Sequence, residues 1–334
     1  MPDQTPRRIV VTGVGANPGL GLARSLLRLG HRVVAVDANP LAPGFFLGDV
    51  SPYVVPLAED PDYPEAIVGL CRALAVDAIV AGIESDLSPL LGLRPRLEAD
   101  GIRLWLPDDE SVYDCIDKAR FHQVLTEHGI PTPRTWDPEE FDRVPSGVEL
   151  VVKPRGGHGA QGVHMVTSRR HARVLCELVP AAIVQERVYG TEFTADCLVD
   201  RDGQASVILR RRDLVKAGCV AVSTTFEDQA VRDLIVKTLQ AVRAQGLCCV
   251  QGFITDNGVT ITELNVRVAG GFALTEAAGA DLVDQMVRGL FGQPVDHDQL
   301  TYRTGVFLTN YLETLRVGDV AELEVAAAPK GATA

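Results

Sequence analysis

The chain of 334 residues is 46% hydrophobic and 23% charged, with a formal net charge of −12, as expected for a soluble protein of two or three lobes. This acidic balance argues against a nucleic-acid-binding or anionic-membrane surface, and no apolar stretch approaches the roughly 20 residues of a membrane span. The seven cysteines form no CxxC pair, which argues against a zinc ribbon or disulfide framework and predicts a cytoplasmic protein without a signal peptide.

Residues 8–105 alternate between Val- and Ile-rich runs and helical segments, which predicts a parallel α/β sheet. Glycines 13, 15, 19 and 21 lie between the first strand and the first helix, and Asp37 ends the second strand. Backbone amides at a helix N-terminus can hold phosphate, so an NAD site is one interpretation. Because GxGxxG is absent and no tyrosine has a lysine four residues later, a glycine turn for close strand–helix packing is favoured.

Two acidic residues, Glu84 and Asp86, follow the third strand of this sheet. Acids at the carboxyl end of a parallel strand either contact a ligand or cap the next helix. A single helix over about residues 111–128 is predicted next, with Lys118 in its middle, where a solvated helix face is the simpler interpretation.

Lys153 follows two valines in a predicted strand, so we expect its ammonium group to point into a cleft. Only five of the 32 basic residues are lysines, which makes a lysine in an apolar strand notable. A glycine-rich loop, RGGHGAQG, comes next and lacks the GKS/T of a Walker A loop. Such a loop either folds over phosphates or forms a plain surface hairpin.

Antiparallel strands are predicted over residues 182–186, 192–199 and 205–209, and a helix over residues 229–245. The segment from Gln185 to Val188 leaves the core, and the backbone of such a segment can hydrogen-bond an adenine edge. Glu192, on the next strand, could hold ribose hydroxyls, although a lone glutamate is more often on the surface.

The most informative stretch is a predicted hairpin, VQGFITDNGVTITELNVRVAGG, over residues 250–271. Glu263, Asn265 and Arg267 are spaced by two, which puts them on one strand face. An Asn-Gly turn of two residues would leave Gln251 on the opposite face from Glu263. A three-residue loop over Asp256–Gly258 would instead place Gln251 directly opposite Glu263, and we favour this three-residue loop. Glutamate, glutamine and asparagine oxygens suit Mg²⁺, and a polar edge hairpin with one salt bridge is the alternative. A further helix is predicted over residues 274–290.

In this order, the lysines, the glycine loop and the polar hairpin resemble the ATP-grasp superfamily, especially halves of the carbamoyl-phosphate synthase large subunit and related stand-alone ligases. The resemblance implies an α/β N-terminal parallel-sheet domain and then an α+β ATP-grasp fold with a lid lobe and an antiparallel C-terminal lobe. The expected bounds are 1–108 for the first domain and 109–316 for the second, with a lid at about 115–185, a C-terminal lobe at about 186–316 and a flexible tail over 317–334.

The resemblance also implies roles for individual residues. Those implied to bind ATP are Lys118, Lys153, Gly157, His158, Gly159, Gly162, Gln185, Glu186, Val188 and Glu192. Those implied to bind Mg²⁺, or Mn²⁺ in its place, are Gln251, Glu263 and Asn265, while Arg267 and Lys153 would act on the transferred phosphoryl group. The chain departs from the family in reading Asn-Val-Arg at 265–267, where Asn-Pro-Arg is common, and in having Gln251 at a position that is an acid in many relatives.

The function implied is ATP-dependent ligation of a small-molecule carboxylate to an amine through an acyl phosphate, on amino acids or small peptides. The resemblance also implies a homodimer. From position alone, the residues expected to contact substrate are Glu84, Arg210, Arg211, Lys216, Gly270 and Gly271. The alternatives are an NAD-dependent oxidoreductase built on the N-terminal glycines and a non-catalytic ATP-binding module.

Overall fold

The computed structural model describes residues 5–157, 161–216, 218–310, 314 and 326–327. Three sheets organise these residues: a parallel sheet near the N-terminus, a small antiparallel sheet, and a larger antiparallel sheet. The predicted succession of an α/β part and an α+β part is confirmed. The domain bounds at residues 108 and 316 stay a prediction.

The first sheet is parallel because its strands are short, apolar and separated by helices. The residues Ile9, Val10 and Val11 of its central strand are fully buried. The strand order is β3-β2-β1-β4-β5. Its elements are β1 (Arg8–Thr12), α1 (Asn17–Arg28), β2 (Arg32–Asp37), β3 (Val50–Val54), α2 (Tyr63–Ala73), β4 (Ala78–Val80), α3 (Leu87–Ala99) and β5 (Arg103–Leu104).

The single helix predicted over residues 111–128 is wrong, since two helices occupy this stretch: α4 (Asp109–Ile116) and α5 (Lys118–Glu127). Asp117 separates them with an extended backbone, and its side chain accepts hydrogen bonds from the backbone N–H groups of Ala119 and Arg120. An N-cap aspartate of this kind starts a new helix. Lys118 is therefore the first residue of a helix, not a middle one.

The small antiparallel sheet has the order β6-β9-β7-β8 and packs its apolar residues against one helix. This sheet and its helix fall within the stretch proposed as the lid lobe. Its elements are β6 (Thr135–Trp136), β7 (Leu150–Pro154), β8 (His164–Val166), α6 (Arg169–Leu178) and β9 (Ala182–Glu186).

The larger antiparallel sheet has the order β14-β13-β10-β11-β12-β15. Its elements are β10 (Thr191–Val199), β11 (Ala205–Lys216), β12 (Cys219–Thr225), α7 (Gln229–Ala241), β13 (Gly246–Thr255), β14 (Gly258–Asn265), α8 (Ala273–Ala278), α9 (Leu282–Leu290) and β15 (Phe307–Thr309). The helix predicted over residues 274–290 is broken into α8 and α9. Gly279 causes the break, because its φ of 117° is incompatible with a right-handed helix.

Within the predicted tail, Ala326–Ala327 form a short strand, β16, that pairs in parallel with Tyr53 and Val54 of β3. The other tail residues lie outside the described part of the chain. Among the described residues, no helix combines the length and apolar character that crossing a membrane requires.

Candidate active site

Two adjoining cavities lie along the larger antiparallel sheet. The first, of about 580 Å³, is lined by residues of both antiparallel sheets, and we call it the nucleotide cavity for the ligand that the sequence predicts there. Most of the predicted ATP and metal residues line it: Lys118, Lys153, Gly157, Gln185, Glu186, Val188, Glu192, Gln251, Glu263, Asn265 and Arg267. Gly162 lies beside it without lining it, and His158 and Gly159 fall outside the described residues.

A row of polar residues crosses four strands of the sheet in register. Glu263 of β14 pairs with Gln251 of β13, Gln251 with Thr194 of β10, and Thr194 with Arg210 of β11. Directly paired residues point to the same sheet face. The row therefore runs from the predicted metal ligands toward the second cavity.

The predicted pairing of Gln251 with Glu263 is confirmed, but the predicted three-residue turn is wrong. Thr255 pairs with Gly258, which leaves a two-residue turn, and the register then shifts by one between Gln251 and Gly252. This β-bulge leaves Thr262 unpaired, and it requires a glycine at 252, where a Cβ would lie 2.4 Å from the carbonyl oxygen of Thr260. The bulge, and not the turn, puts Gln251 opposite Glu263.

The predicted metal ligands fit a magnesium ion that arrives with phosphate. The Gln251 Oε1 atom accepts a hydrogen bond from Arg212 at 3.0 Å, and the Asn265 Oδ1 atom accepts one from Arg267 at 3.1 Å. One carboxylate and two amides form a donor set for a hard cation that also uses substrate phosphates. Among the described residues, no group of three or more Asp, Glu, His or Cys side chains is placed to hold a metal ion.

Lys118 and Lys153 bring positive charge to the glycine loop. The Lys118 ammonium group donates a hydrogen bond to the Gly157 carbonyl at 2.7 Å, and Arg155 pairs with Asp117 at 2.7 Å. The start of α5 therefore holds the base of the loop. Lys153 is buried, and this burial lowers its pKa to about 8, with Glu263 raising the pKa and Lys118 lowering it further.

We expect nucleotide affinity to fall as the pH rises above about 8. The ammonium form of Lys153 attracts a polyphosphate, and above its pKa of about 8 the free protein must first take up a proton. The dissociation constant of ATP should therefore rise by up to about tenfold per pH unit, with proton uptake measurable by calorimetry in two buffers. Lys153→Arg, which stays charged, should abolish this slope, and an affinity in the wild type that is unchanged through about pH 9.5 would contradict the assignment.

The residues predicted to hold adenosine, Gln185, Val188 and Glu192, line the nucleotide cavity with backbone and side-chain polar groups. The Val188 N–H makes no backbone hydrogen bond to any described residue, so it is available to a ligand. The Gln185 side chain donates to Thr135 at 2.9 Å and is therefore already engaged inside the small sheet. Glu192 pairs with Arg212 at 3.2 Å.

Arg212 is the main residue that the sequence analysis missed. It lines both cavities and bonds to Glu192 and Gln251, whereas the prediction had chosen its neighbour Arg211. Arg211 is exposed on the other strand face, near Asp213, and lines neither cavity. Adjacent strand residues point to opposite faces, so the period of two from Arg210 would have identified Arg212. Lys216, exposed at the end of β11, also lines neither cavity.

The second cavity, of about 350 Å³, lies between the larger sheet and the carboxyl edge of the parallel sheet, and we call it the substrate cavity. It contains four of the predicted substrate residues: Glu84, Arg210, Gly270 and Gly271. It shares Arg212, Gly218, Gln251 and Arg267 with the nucleotide cavity. Burial raises the pKa of Glu84, and the nearby Lys118 opposes this rise.

The N-terminal glycines serve close packing, as the favoured interpretation predicted. A Cβ at Gly19 would lie 2.3 Å from the carbonyl oxygen of Gly13. Both carboxylate oxygens of Asp37 accept backbone N–H groups, from Gly15 at 2.7 Å and Asn39 at 2.9 Å. The acid that an NAD site would use for ribose is thus engaged within the loop.

Comparisons with known proteins agree with this arrangement. Residues 9–105 match a family described as the PylC-like N-terminal domain, and residues 115–271 match the ATP-grasp domain. The carbamoyl phosphate synthase large chain of Methanoculleus marisnigri is 23% identical over 294 residues, which cover 78% of this chain and 26% of that protein. The chain thus spans about a quarter of the length of this curated relative.

Two solved structures share the fold. Biotin carboxylase from Campylobacter jejuni, in a β,γ-ATP complex, has a TM-score of 0.74 at 15% identity, covering 91% of this chain and 74% of that one. The L-amino acid ligase from Bacillus licheniformis has a TM-score of 0.70 at 17% identity, covering 90% and 78%. The matched families, the order of the sheets and the lysine-lined cleft lead to one conclusion: this chain carries an ATP-grasp domain over residues 115–271, preceded by a PylC-like N-terminal domain over residues 9–105.

Proposed function

We propose that the chain is an ADP-forming carboxylate–amine ligase that acts on amino acids or small peptides. The observation that carries this proposal is the junction of the two cavities, which share Arg212, Gln251 and Arg267. A nucleotide in one cavity and an acid in the other would meet at this junction. There, a carboxylate oxygen can approach the terminal phosphorus.

The reaction needs two steps because a carboxylate has no usable leaving group. The carboxylate oxygen attacks the γ-phosphorus, the bond to the β-phosphate oxygen breaks, and ADP leaves. The amine nitrogen then attacks the acyl carbon, inorganic phosphate departs, and the amine loses a proton to give the amide. Positioning and charge neutralisation dominate such chemistry, so a protein nucleophile is not required.

Different residues would bind the phosphates, the metal ion, the adenosine and the amine. Lys118, Lys153 and Arg267, which line the nucleotide cavity, would neutralise phosphate oxygens, and Lys153 and Arg267 would stabilise the charge that develops during transfer. Gln251, Glu263 and Asn265 would hold Mg²⁺, which when bound would supply positive charge that neutralises phosphate oxygens. Val188 and Glu192 would hold the adenosine end, and Glu84, which lines the substrate cavity, would accept an amine there.

Incubation with ATP, Mg²⁺ and pooled amino acids is expected to release ADP, and hydroxylamine should trap the acyl phosphate as a hydroxamate detected by mass spectrometry. Individual acid and amine pairs are then screened for amide products. ATP binding without ADP release on any pair would favour the non-catalytic module. Binding of NADH at about micromolar concentration would instead favour the oxidoreductase. The predicted homodimer and cytoplasmic location stay predictions.

A further inference from the structure

The substrate cavity is unusually rich in arginine at its surface. Arg210, Arg212 and Arg267 line it, and Glu84 is the sole acid among its lining residues. Each arginine has at least one N–H group that makes no hydrogen bond to the described residues. Arg212 is the clearest case, because its buried Nε atom has no hydrogen-bond partner in the described part of the chain.

Arg210 forms the floor of the cavity and is only 1% exposed. Its Nε and Nη2 atoms donate to Asp196 at 2.8 and 3.2 Å, whereas Nη1 has no hydrogen bond to the described residues. Gly271 leaves this Nη1 atom uncovered, because a Cβ there would lie 3.0 Å from it. A guanidinium N–H group that faces a cavity and has no partner among the described residues is available to an acceptor from a ligand.

The start of α1 lies on the same cavity. Ala16 precedes the helix without a side-chain cap, and the first turn contains no acidic residue. The Asn17 N–H makes no hydrogen bond to the described residues, and Pro18 has no N–H to offer. An uncapped helix start carries partial positive charge and free donors, and it attracts an anion.

Arg210 and the start of α1 lie away from the end of the substrate cavity that adjoins the nucleotide cavity. Arg212 and Arg267 lie at the junction with the nucleotide cavity, where the reacting carboxylate must lie. Asn17, Gly270 and Gly271 line the substrate cavity alone, and a Cβ at Gly270 would lie 3.3 Å from the Asn17 Cβ atom. The two glycines therefore leave space between Arg210 and the start of α1.

We propose that the acid substrate carries a second anionic group, a carboxylate or a phosphate, bound between Arg210 and the N-terminus of α1. The glycines of the N-terminal turn pack the first strand against α1, and the start of α1 that follows them would bind this anionic group rather than a dinucleotide. The inference rests on the proposed function for the orientation of the acid, with its reacting carboxylate toward ATP. The binding site itself is testable without catalysis.

Binding of matched ligand pairs to the wild-type protein tests the charge requirement. Calorimetry would compare glutamate with glutamine and O-phosphoserine with serine, each without ATP. We expect the member with the extra anionic group to bind at least about tenfold more tightly in one or both pairs. A preference in the glutamate pair identifies a carboxylate, and one in the phosphoserine pair identifies a phosphate. Equal binding within both pairs would overturn the proposal.

Asn17→Asp tests the location of the site. A carboxylate in the first turn stabilises a helix in general, so folding should be retained, yet it repels an anion bound there. The preference for the charged ligand should fall by about tenfold or more, while ATP affinity stays unchanged. Gln229→Glu makes the same amide-to-acid change at the exposed first residue of α7, outside both cavities, and should leave the preference intact.

The two proposals fail in distinguishable ways. Selective binding that Asn17→Asp removes, together with no ADP release on any acid, would support the anion site and reject the ligase. ADP release with neutral acids as efficient as with charged ones, and unaffected by Asn17→Asp, would reject the anion site while supporting the ligase.

Discussion

Glu263→Gln is expected to lower the rate of ADP formation by at least about 10²–10³-fold while leaving the fold intact. Glu263 is the sole carboxylate in the candidate magnesium set, so the variant would offer the metal neutral amide oxygens only. Its negative charge also raises the pKa of Lys153, and losing it would favour the uncharged amine that cannot neutralise phosphate. Initial rates measured across a magnesium titration would show a lower maximum and a higher magnesium requirement.

Glu98→Gln is the matched control, because Glu98 is exposed on α3 and lines neither cavity. It should retain the wild-type rate and magnesium dependence. Glu263→Ala should be as inactive as Glu263→Gln, since both remove the charge. The metal assignment is refuted if Glu263→Gln keeps a third or more of the rate at limiting magnesium.

Arg210→Met is expected to lower the free energy of unfolding by about 3–5 kcal/mol, which is more than any other single substitution proposed for this protein. Arg210 and Asp196 are 1% and 2% exposed and pair at 2.8 Å, and Asp196 also accepts a hydrogen bond from Thr275 at 2.6 Å. Removing the guanidinium leaves a buried carboxylate without its counter-charge, which costs more than the pair contributes. Urea denaturation followed by circular dichroism measures the change.

An exposed ion pair provides the contrast for this prediction. Arg173 and Asp142 pair at 2.7 Å with side chains 59% and 88% exposed, so Arg173→Met should cost less than about 1 kcal/mol. Asp196→Leu added to Arg210→Met should recover part of the stability, because no buried charge then remains. If Arg210→Met and Arg173→Met lower the urea midpoint equally, the buried pair does not have the role assigned to it.

The hairpin shows how a correct residue set can be predicted with incorrect geometry. The alternation of Glu263, Asn265 and Arg267 identifies one strand face, because side-chain direction along a strand follows from local backbone geometry. The position of Gln251 depends instead on how two strands align. That alignment comes from the bulge at Thr262 and the close approach at Gly252, and neither has a distinctive local sequence signal.

Arg210, Arg211 and Arg212 show the converse case. The three residues are identical, so they differ only in which face of β11 they occupy. One face comes to line the cavities and the other meets solvent only when the sheet packs in the folded protein. Arg210 and Arg212 point to the cavities, whereas Arg211 is solvent-exposed near the Phe226 ring. Composition alone could not choose among three arginines.

The sequence by itself determined the succession of sheets, the buried Lys153 and the polar strand face, because each follows from local periodicity or from an unusual residue at one position. Lys118 was assigned to the cleft only through the family resemblance. Only the tertiary structure decided that the start of α1 meets the loop at 268–271 to enclose a second cavity. Phe272 packs in one core cluster with Leu22 and Val268, and Gly21 leaves room for its ring, since a Cβ there would lie 2.6 Å from it. Burial of apolar groups far apart in the chain makes that contact, and no local pattern encodes which distant surfaces will share a core.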